Sequence, residues 1–223
     1  MMDMRYGRAM TARNISALDR LIGEFDRALH TVFGPPPARH RPSPADGRPE
    51  AELTSAERTL AGRLMRINHS GEIAAQALYQ GQALFAKLPT VRAKMQLAAD
   101  EENDHLAWTA RRTRELGTHT SVLGAFWYAG SFAIGAAAGL VGDKWSLGFV
   151  AETEHQVVAH LDRHLARLPT NDAKSHAIIE TMRDDEARHA TVAIESGAAP
   201  LPAPIKTVMA FASKIMTGTA YWV

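Results

Sequence analysis

The sequence predicts an all-α protein, and three observations lead to that prediction. Apolar residues recur at intervals of three and four over most of the 223 residues, which is the spacing of one helix face. Capping residues and helix-ending Pro or Gly residues separate the apolar stretches. No stretch alternates apolar and polar residues in the way that a strand does.

The first 50 residues differ from the rest of the chain. Residues 16–33 have apolar residues at helical spacing and predict an amphipathic helix: Leu18, Leu21, Ile22, Phe25, Leu29 and Phe33. Residues 34–50 contain six of the eleven prolines and predict an extended linker. We therefore expect an N-terminal helix and a Pro-rich linker over residues 1–50, followed by the main domain over residues 51–223.

Four long helices are predicted in the main domain: 54–87, 90–116, 144–168 and 171–196. Three of them have a capping residue at their start, namely Thr54 or Ser55, Thr90 and Asn171. All four end at a proline or a glycine: Pro89, Gly117, Pro169 and Gly197. These helices form two helical hairpins. Two further segments, 120–142 and 202–220, are apolar and are predicted as additional helices.

Composition narrows the possible functions. The net charge is +1, so the chain has no general electrostatic sign of nucleic-acid binding. The absence of cysteine excludes disulfides, iron–sulfur clusters and thiolate metal sites. The first residues contain no apolar segment typical of a secretory signal. Histidine and carboxylate side chains are therefore the available metal ligands, and they suit iron, manganese or zinc.

The pattern Glu-x-x-His occurs three times, whereas composition alone predicts roughly 0.6 occurrences. The pattern matters because it places a carboxylate and an imidazole on one face of a helix. Two of the pairs, Glu102 with His105 and Glu186 with His189, lie on apolar faces, where an unpaired charge would be costly. These four side chains are predicted metal ligands.

The third pair, Glu152 with His155, lies on the flank of its helix and is interpreted as a chance match. Glu154 lies on the apolar stripe of the same helix and is the predicted ligand instead. In the first bundle helix, Glu72 is the only acid between residues 58 and 99. A half-exposed position remains the alternative for an isolated Glu on a helix.

The spacing of these residues repeats along the chain. Glu72 precedes Glu102 by 30 residues, and Glu154 precedes Glu186 by 32, so a lone Glu followed by Glu-x-x-His occurs twice. The six side chains predict a cage for two metal ions inside a four-helix bundle. Two divalent ions would also balance four carboxylates that are otherwise expensive to bury.

Three other residues are candidates for orienting the ligands. His69 lies close to Glu72 in the sequence, and Tyr79 lies at helical spacing from it; each also fits an ordinary core position. His160 is a surface residue by periodicity alone. His119, His164 and His176 are interpreted as ordinary.

Four segments resemble the demethoxyubiquinone hydroxylases of ubiquinone biosynthesis, in this order: NHSGEIAAQALYQGQ, DEENDH, ETEHQVVAHLDRHL and RDDEARH. The resemblance runs from about Leu18 to the C-terminus and implies a ferritin-like bundle. It places the family's iron ligands on Glu72, Glu102, His105, Glu154, Glu186 and His189, with Glu102 and Glu186 as bridging carboxylates. It also matches His160 to a family histidine near the metal.

The resemblance implies a function as well. Two iron ions would activate O2, and a hydroxyl group would enter the ring of a polyprenylated methoxy-methyl benzoquinol. NADH or the quinol itself would supply the reducing equivalents, although no dinucleotide-binding motif is present. Other enzymes of ubiquinone biosynthesis are possible partners. Nucleic acid is not an expected partner.

The apolar segments predict contact with a membrane surface. Between Glu115 and Asp143 there is no formal charge, and the length would suit a membrane span. The ligand helices on both sides must lie in one bundle, which favours a docked helix that dips into one leaflet. A buried core helix is the alternative. The basic C-terminal segment, with Tyr221 and Trp222 as anchors or packing residues, fits anionic lipid. We expect a peripheral position at the cell membrane, on the cytoplasmic side if the source is bacterial.

Two other functions use the same residues. A ferritin- or rubrerythrin-like protein would store iron or remove peroxide with the same ligand pattern, but the uncharged segment argues against it. A metal-free scaffold for other ubiquinone-synthesis enzymes would leave four acids on apolar faces without a counter-ion.

Overall fold

The computed structural model describes residues 17–34 and 41–223. Over these residues the chain forms seven α-helices and no strand: α1 Ala17–Phe33, α2 Ser55–Phe85, α3 Pro89–Glu115, α4 Gly124–Val141, α5 Asp143–Leu165, α6 Ala173–Glu195 and α7 Ala203–Ala220. The all-α prediction is confirmed. The start of the predicted first helix, the side chains of Leu18 and Leu21, and residues 35–40 of the predicted linker lie outside the described residues.

The helix ends follow local capping chemistry, with two corrections to the sequence prediction. The predicted cap Thr54 forms a capping box, in which its hydroxyl accepts from the Glu57 amide and the Glu57 carboxylate accepts from the Thr54 amide. The prediction of Thr90 as a cap is wrong, because α3 begins one residue earlier, at a proline in the first helical position. The cap of α6 is Asp172 rather than Asn171, and its carboxylate accepts from the Ser175 amide at 3.1 Å.

Helices α2, α3, α5 and α6 form the four-helix bundle, with α2 packed on α3 and α5 on α6. Two apolar clusters fill it at different heights. The first contains Leu64, Met65, Trp108, Leu161, Ile179 and Met182, and the second contains Tyr79, Val91, Met95, Leu147, Val150 and Ala193. On each of the four helices, the predicted metal ligands fall between the residues of the two clusters.

Helix α4 packs along α2, and the backbones of the two helices approach each other closely. A Cβ on Gly135 would overlap the carbonyl oxygen of Leu78, and a Cβ on Gly81 would overlap that of Phe132, so both contacts require glycine. The other face of α4 is exposed, with Phe126 66% and Leu140 62% accessible. The alternative of a buried core helix is therefore wrong. Within the described residues, α4 is the one helix long and apolar enough to cross a membrane, and 22% of it is buried.

Helix α7 lies beside α2 and α5 and leaves a cavity of about 940 Å³ against α5. The lining includes Gln156, His160, Arg163, Lys206 and Lys214. At the C-terminus, the Arg63 guanidinium lies over the rings of Tyr221 and Trp222, at 4.9 Å and 4.4 Å from their centroids. The outer face of α7 exposes apolar side chains such as Val208 and Phe211.

The segment before the bundle contacts it. Ala45 is buried in the first apolar cluster, and Arg41 and Glu50 form ion pairs with bundle residues. The described part of the predicted linker, residues 41–50, is thus packed on the main domain. The domain boundary at residue 50 stays a prediction.

Candidate metal centre

Six ionisable side chains meet in the middle of the bundle, and none is more than 6% exposed: Glu72, Glu102, His105, Glu154, Glu186 and His189. Helix α2 supplies one of them, α5 one, and α3 and α6 a Glu-x-x-His pair each. The Glu and His of a pair are one helical turn apart, so both reach the same side. The sequence predicted this set of residues, and the structure brings the six together.

His105 faces three carboxylates at once. Its Nδ1 atom lies 3.0 Å from Glu102 Oε2, 3.3 Å from Glu186 Oε1 and 3.5 Å from Glu72 Oε2. One ligand atom from each of these four residues can be chosen so that all lie within 4.8 Å of one another. A single cation could therefore contact all four side chains.

His189 faces the same two central carboxylates from the other side. Its Nδ1 atom lies 3.2 Å from Glu186 Oε2 and 3.4 Å from Glu102 Oε1. Glu102 and Glu186 thus each turn one oxygen towards His105 and the other towards His189. This arrangement suits two carboxylates that bridge a pair of metal ions.

Glu154 lies beside this second imidazole. The Tyr79 hydroxyl donates a hydrogen bond to its Oε1 atom. Burial raises the pKa of Glu154 well above its usual value, and the charges of Glu186 and Glu102 raise it further. Tyr79, predicted to orient a ligand, is therefore in contact with one of the six residues.

The electrostatics of the cluster call for cations. Burial, followed by the charge of Glu102, raises the pKa of Glu72 well above its usual value. For Glu102, burial is outweighed by the charge and hydrogen bonds of the two histidines, which hold its pKa well below the usual value. Two carboxylate oxygens, Glu72 Oε2 and Glu102 Oε1, are buried without a hydrogen-bond partner. Such oxygens are expensive to bury unless a cation binds next to them.

The outer nitrogen of each imidazole is held by a further carboxylate. His105 Nε2 lies 2.9 Å from Asp185 Oδ2, and His189 Nε2 lies 2.5 Å from Glu101 Oε2. A carboxylate at the outer nitrogen fixes the tautomer that leaves Nδ1 free for a metal. Our sequence reasoning missed both residues. The signal was present, because an acid directly precedes the ligand Glu in both Glu-x-x-His segments.

The remaining histidine predictions have different outcomes. His69 is largely buried near Arg114, and burial together with that charge lowers its pKa to about 4. His160 lines the cavity under α7 and contacts His164, with ring centroids 3.9 Å apart and the ring planes tilted by 57°. Among the described contacts, neither His69 nor His160 touches the six residues. His164 is buried, its Nδ1 atom lies 2.8 Å from Asn68 Oδ1, and among the described contacts it touches none of the six residues. Its interpretation as an ordinary histidine stays a prediction.

A small pocket of about 60 Å³ opens next to His189. Tyr79 lies at one side of it, and Met95, Leu97, Leu147 and Val150 give it an apolar lining. The pocket therefore reaches His189 of the cluster and Tyr79, whose hydroxyl donates to Glu154.

Comparisons with known proteins agree with this geometry. The profile of the family described as "Ubiquinone biosynthesis protein COQ7" matches residues 59–220. A protein of Nitrosococcus oceani named 3-demethoxyubiquinol 3-hydroxylase is 61% identical over 96% of this chain and 100% of its own length. Proteins with the same name from Nitrosomonas eutropha and Stutzerimonas stutzeri are 57% and 56% identical, over 92% and 94% of this chain and 99% and 97% of their own lengths.

Proposed function

The chain belongs to the family of ubiquinone biosynthesis protein COQ7, and we propose on that basis that it hydroxylates the ring of a polyprenylated demethoxyubiquinol with O2. The observation that carries the proposal is the pair of buried carboxylates, Glu102 and Glu186, each with one oxygen towards each of two buried imidazoles. A protein that binds no metal would leave these buried carboxylates without a counter-ion.

The reaction balances as follows. One oxygen atom of O2 replaces the hydrogen on the unsubstituted ring carbon and forms a hydroxyl group. The other oxygen atom leaves as water after it takes up two electrons and two protons. NADH or the quinol itself would supply those electrons.

The six residues would hold two iron ions. Glu72 and His105 would bind one ion, Glu154 and His189 would bind the other, and Glu102 and Glu186 would bridge them. When bound, two ferrous ions supply the electrons and open coordination positions that O2 chemistry requires. The chain's own part is to orient the ligands, through Asp185 on His105 and Glu101 on His189.

The pocket beside His189 is the proposed entrance for the substrate ring. The apolar members of its lining, Met95, Leu147 and Val150, would limit the access of water to the reaction. Its volume of about 60 Å³ lies well below the ~300–1,000 Å³ of typical ligand pockets. The pocket must therefore widen when the substrate ring enters.

A membrane-facing position follows from the substrate. A polyprenyl chain partitions into the bilayer, so the entrance must be accessible from there. The exposed apolar side chains of α4 and α7, among them Phe126, Leu140 and Phe211, would contact the acyl chains. We propose a peripheral position at the cell membrane, on the cytoplasmic side if the source is bacterial.

Isotope-labelled oxygen tests the proposal directly. Protein loaded with Fe(II) is mixed with a short-chain demethoxyubiquinol under ¹⁸O2, and the product is analysed by mass spectrometry. One ¹⁸O atom per product molecule is expected from wild type and none from Glu102→Gln. Glu152→Gln is the matched control, because it alters a Glu of the same sequence pattern outside the cluster, where the carboxylate pairs with Lys206.

Two other outcomes would replace the proposal. Rapid oxidation of many irons per chain without product would favour iron storage, and peroxide consumption without quinol hydroxylation would favour a peroxidase. Unimpaired ubiquinone synthesis in cells that carry only Glu102→Gln would favour a metal-free scaffold.

A further inference from the structure

We propose that Arg41, which precedes the bundle in sequence, is a positioning residue of the metal centre. It acts through Asp185 on His105 and thereby sets the affinity of the His105 half of the centre for its ion. This inference rests on the proposed metal centre, although it does not depend on which reaction the centre performs.

Arg41 connects the two helices that carry the Glu-x-x-His pairs. Its Nε atom lies 3.1 Å from Asp104 Oδ2 on α3, and its Nη2 atom lies 2.8 Å from Asp185 Oδ2 on α6. The guanidinium also lies over the Trp108 ring, 4.9 Å from the centroid. The partners are 63 and 144 residues away along the chain, so the contact exists only when the N-terminal segment is docked.

The oxygen that Arg41 holds is the one that faces His105. Asp185 Oδ2 lies 2.9 Å from His105 Nε2, while Asp185 Oδ1 accepts from Arg188 at 2.8 Å. The two arginines fix both oxygens of one carboxylate, and the carboxylate fixes the imidazole with Nδ1 towards the three acids. Charge-assisted hydrogen bonds of this kind are strong and directional. Without Arg41, Asp185 Oδ2 keeps only the imidazole as a partner and the carboxylate is anchored by Arg188 alone, so it holds the imidazole less firmly.

The segment around Arg41 is anchored at several points, which makes its position defined. Ala45 is buried in the first apolar cluster. Asp46 pairs with Arg111 at 2.7 Å. Glu50 accepts two hydrogen bonds from the buried Arg112, at 2.9 and 3.0 Å, and a third from Lys174 at 2.9 Å. Residues 41–50 therefore bind along α3 and α6 on the outside of the metal centre.

Binding of this segment and binding of metal are coupled as a consequence. Residues that orient a metal-bound imidazole typically change metal affinity 10- to 100-fold when they are removed. The coupling is reciprocal, so metal also stabilises the docked segment. Only the ion bound by His105 should be affected, because His189 is held by Glu101 instead.

Titration of the metal-free full-length protein with Co(II), followed by visible absorption, tests this assignment. Wild type should bind two ions. In Arg41→Ala the affinity for one of them should fall about 10-fold while the other stays unchanged. Arg41→Lys should recover part of the loss, since it restores the charge but not the two-point contact.

Two further variants separate positioning from a general loss of structure. Arg111→Ala removes another ion pair of the same segment and should leave both affinities within about twofold. If Arg41 acts through Asp185, the double variant Arg41→Ala/Asp185→Asn should bind Co(II) no more weakly than Asp185→Asn alone. Circular dichroism and the thermal midpoint report whether each variant is folded.

The outcomes are distinguishable. If wild type binds no Co(II), the metal centre fails together with the proposed function. If wild type binds two ions and folded Arg41→Ala binds both with unchanged affinity, only the role of Arg41 is overturned. Equal losses at both ions, or an equal loss in Arg111→Ala, would mean that the segment stabilises the fold without positioning His105.

Discussion

Metal loading of the centre should release protons, because the pKa values of several ligands are raised in the metal-free protein. Burial raises the pKa of Glu72 and of Glu154, with neighbouring carboxylates adding to the effect. Burial lowers the pKa of both histidines, but the facing carboxylates outweigh it. At His105 the charge of Glu102 is the largest opposing effect, and the pKa rises well above its usual value. At His189 hydrogen bonds to Glu102 and Glu186 are the largest opposing effects, and the pKa rises to about 12. With a pKa of about 12, His189 holds its extra proton at pH 7, and the raised pKa values of the other three side chains keep them protonated to a higher pH than usual. Metal ions replace such protons, because ligands bind in their deprotonated forms.

The expected release is at least about one proton per two divalent ions, from His189, and the raised pKa values of Glu72, Glu154 and His105 add to it. Calorimetric titration with Co(II) at pH 7 in buffers of different ionisation enthalpy measures this number as the slope of the observed heat against buffer enthalpy. Glu152→Gln is the control and should give the same slope. Release of fewer than about one proton per two ions would refute the reasoning, because the ligands would then be deprotonated before metal binds.

Two predictions concern stability rather than metal. Gly135→Ala should lower the free energy of unfolding by about 1–3 kcal/mol, because the new methyl group would overlap the backbone of α2. Gly130 lies in the same helix, but a Cβ there would have nothing within 4 Å, so Gly130→Ala should be neutral or stabilising by about 0.5–1 kcal/mol. Urea denaturation of both variants measures the difference. Burial, with the charges around it, lowers the pKa of His164 to about 2, so the unfolded chain binds a proton there that the folded chain does not once the pH falls below about 6.5. His164→Gln should therefore reduce the acid-induced loss of stability by up to about 1.4 kcal/mol per pH unit between pH 6 and 4, and identical slopes for wild type and variant in metal-free protein would contradict this.

The sequence was sufficient to predict the residues of the metal-ligand cluster because the patterns that identify them are local. Glu-x-x-His lies within one helical turn, and the apolar stripe separates Glu154 from its neighbour Glu152. The doubled spacing then linked helices that are far apart in the chain. Cap positions were less certain, because Asn171 and Asp172 are both good capping residues and the sequence does not tell which one adopts the required backbone conformation.

Other features depend on tertiary contacts that no local pattern encodes. Arg41 reaches Asp185 across 144 residues, so its pairing is visible only in the folded chain. The burial of His164 is a second example, because its contact with Asn68 joins residues that are 96 positions apart in the chain. For α4, composition alone fits a membrane span, a core helix and a docked helix equally well. The close contact of Gly81 and Gly135 with the facing backbone decides that it docks on α2.

Iron content is the most direct test of the central claim that this bundle holds two metal ions. Metal-free protein is loaded with Fe(II) without oxygen, desalted, and analysed for iron per chain and by Mössbauer spectroscopy before and after exposure to O2. We expect about two irons per chain, coupled to each other after oxidation, and loss of both the second iron and the coupling in Glu102→Ala. Retention of no iron by folded wild-type protein, or of the same coupled pair by Glu102→Ala, would contradict the account.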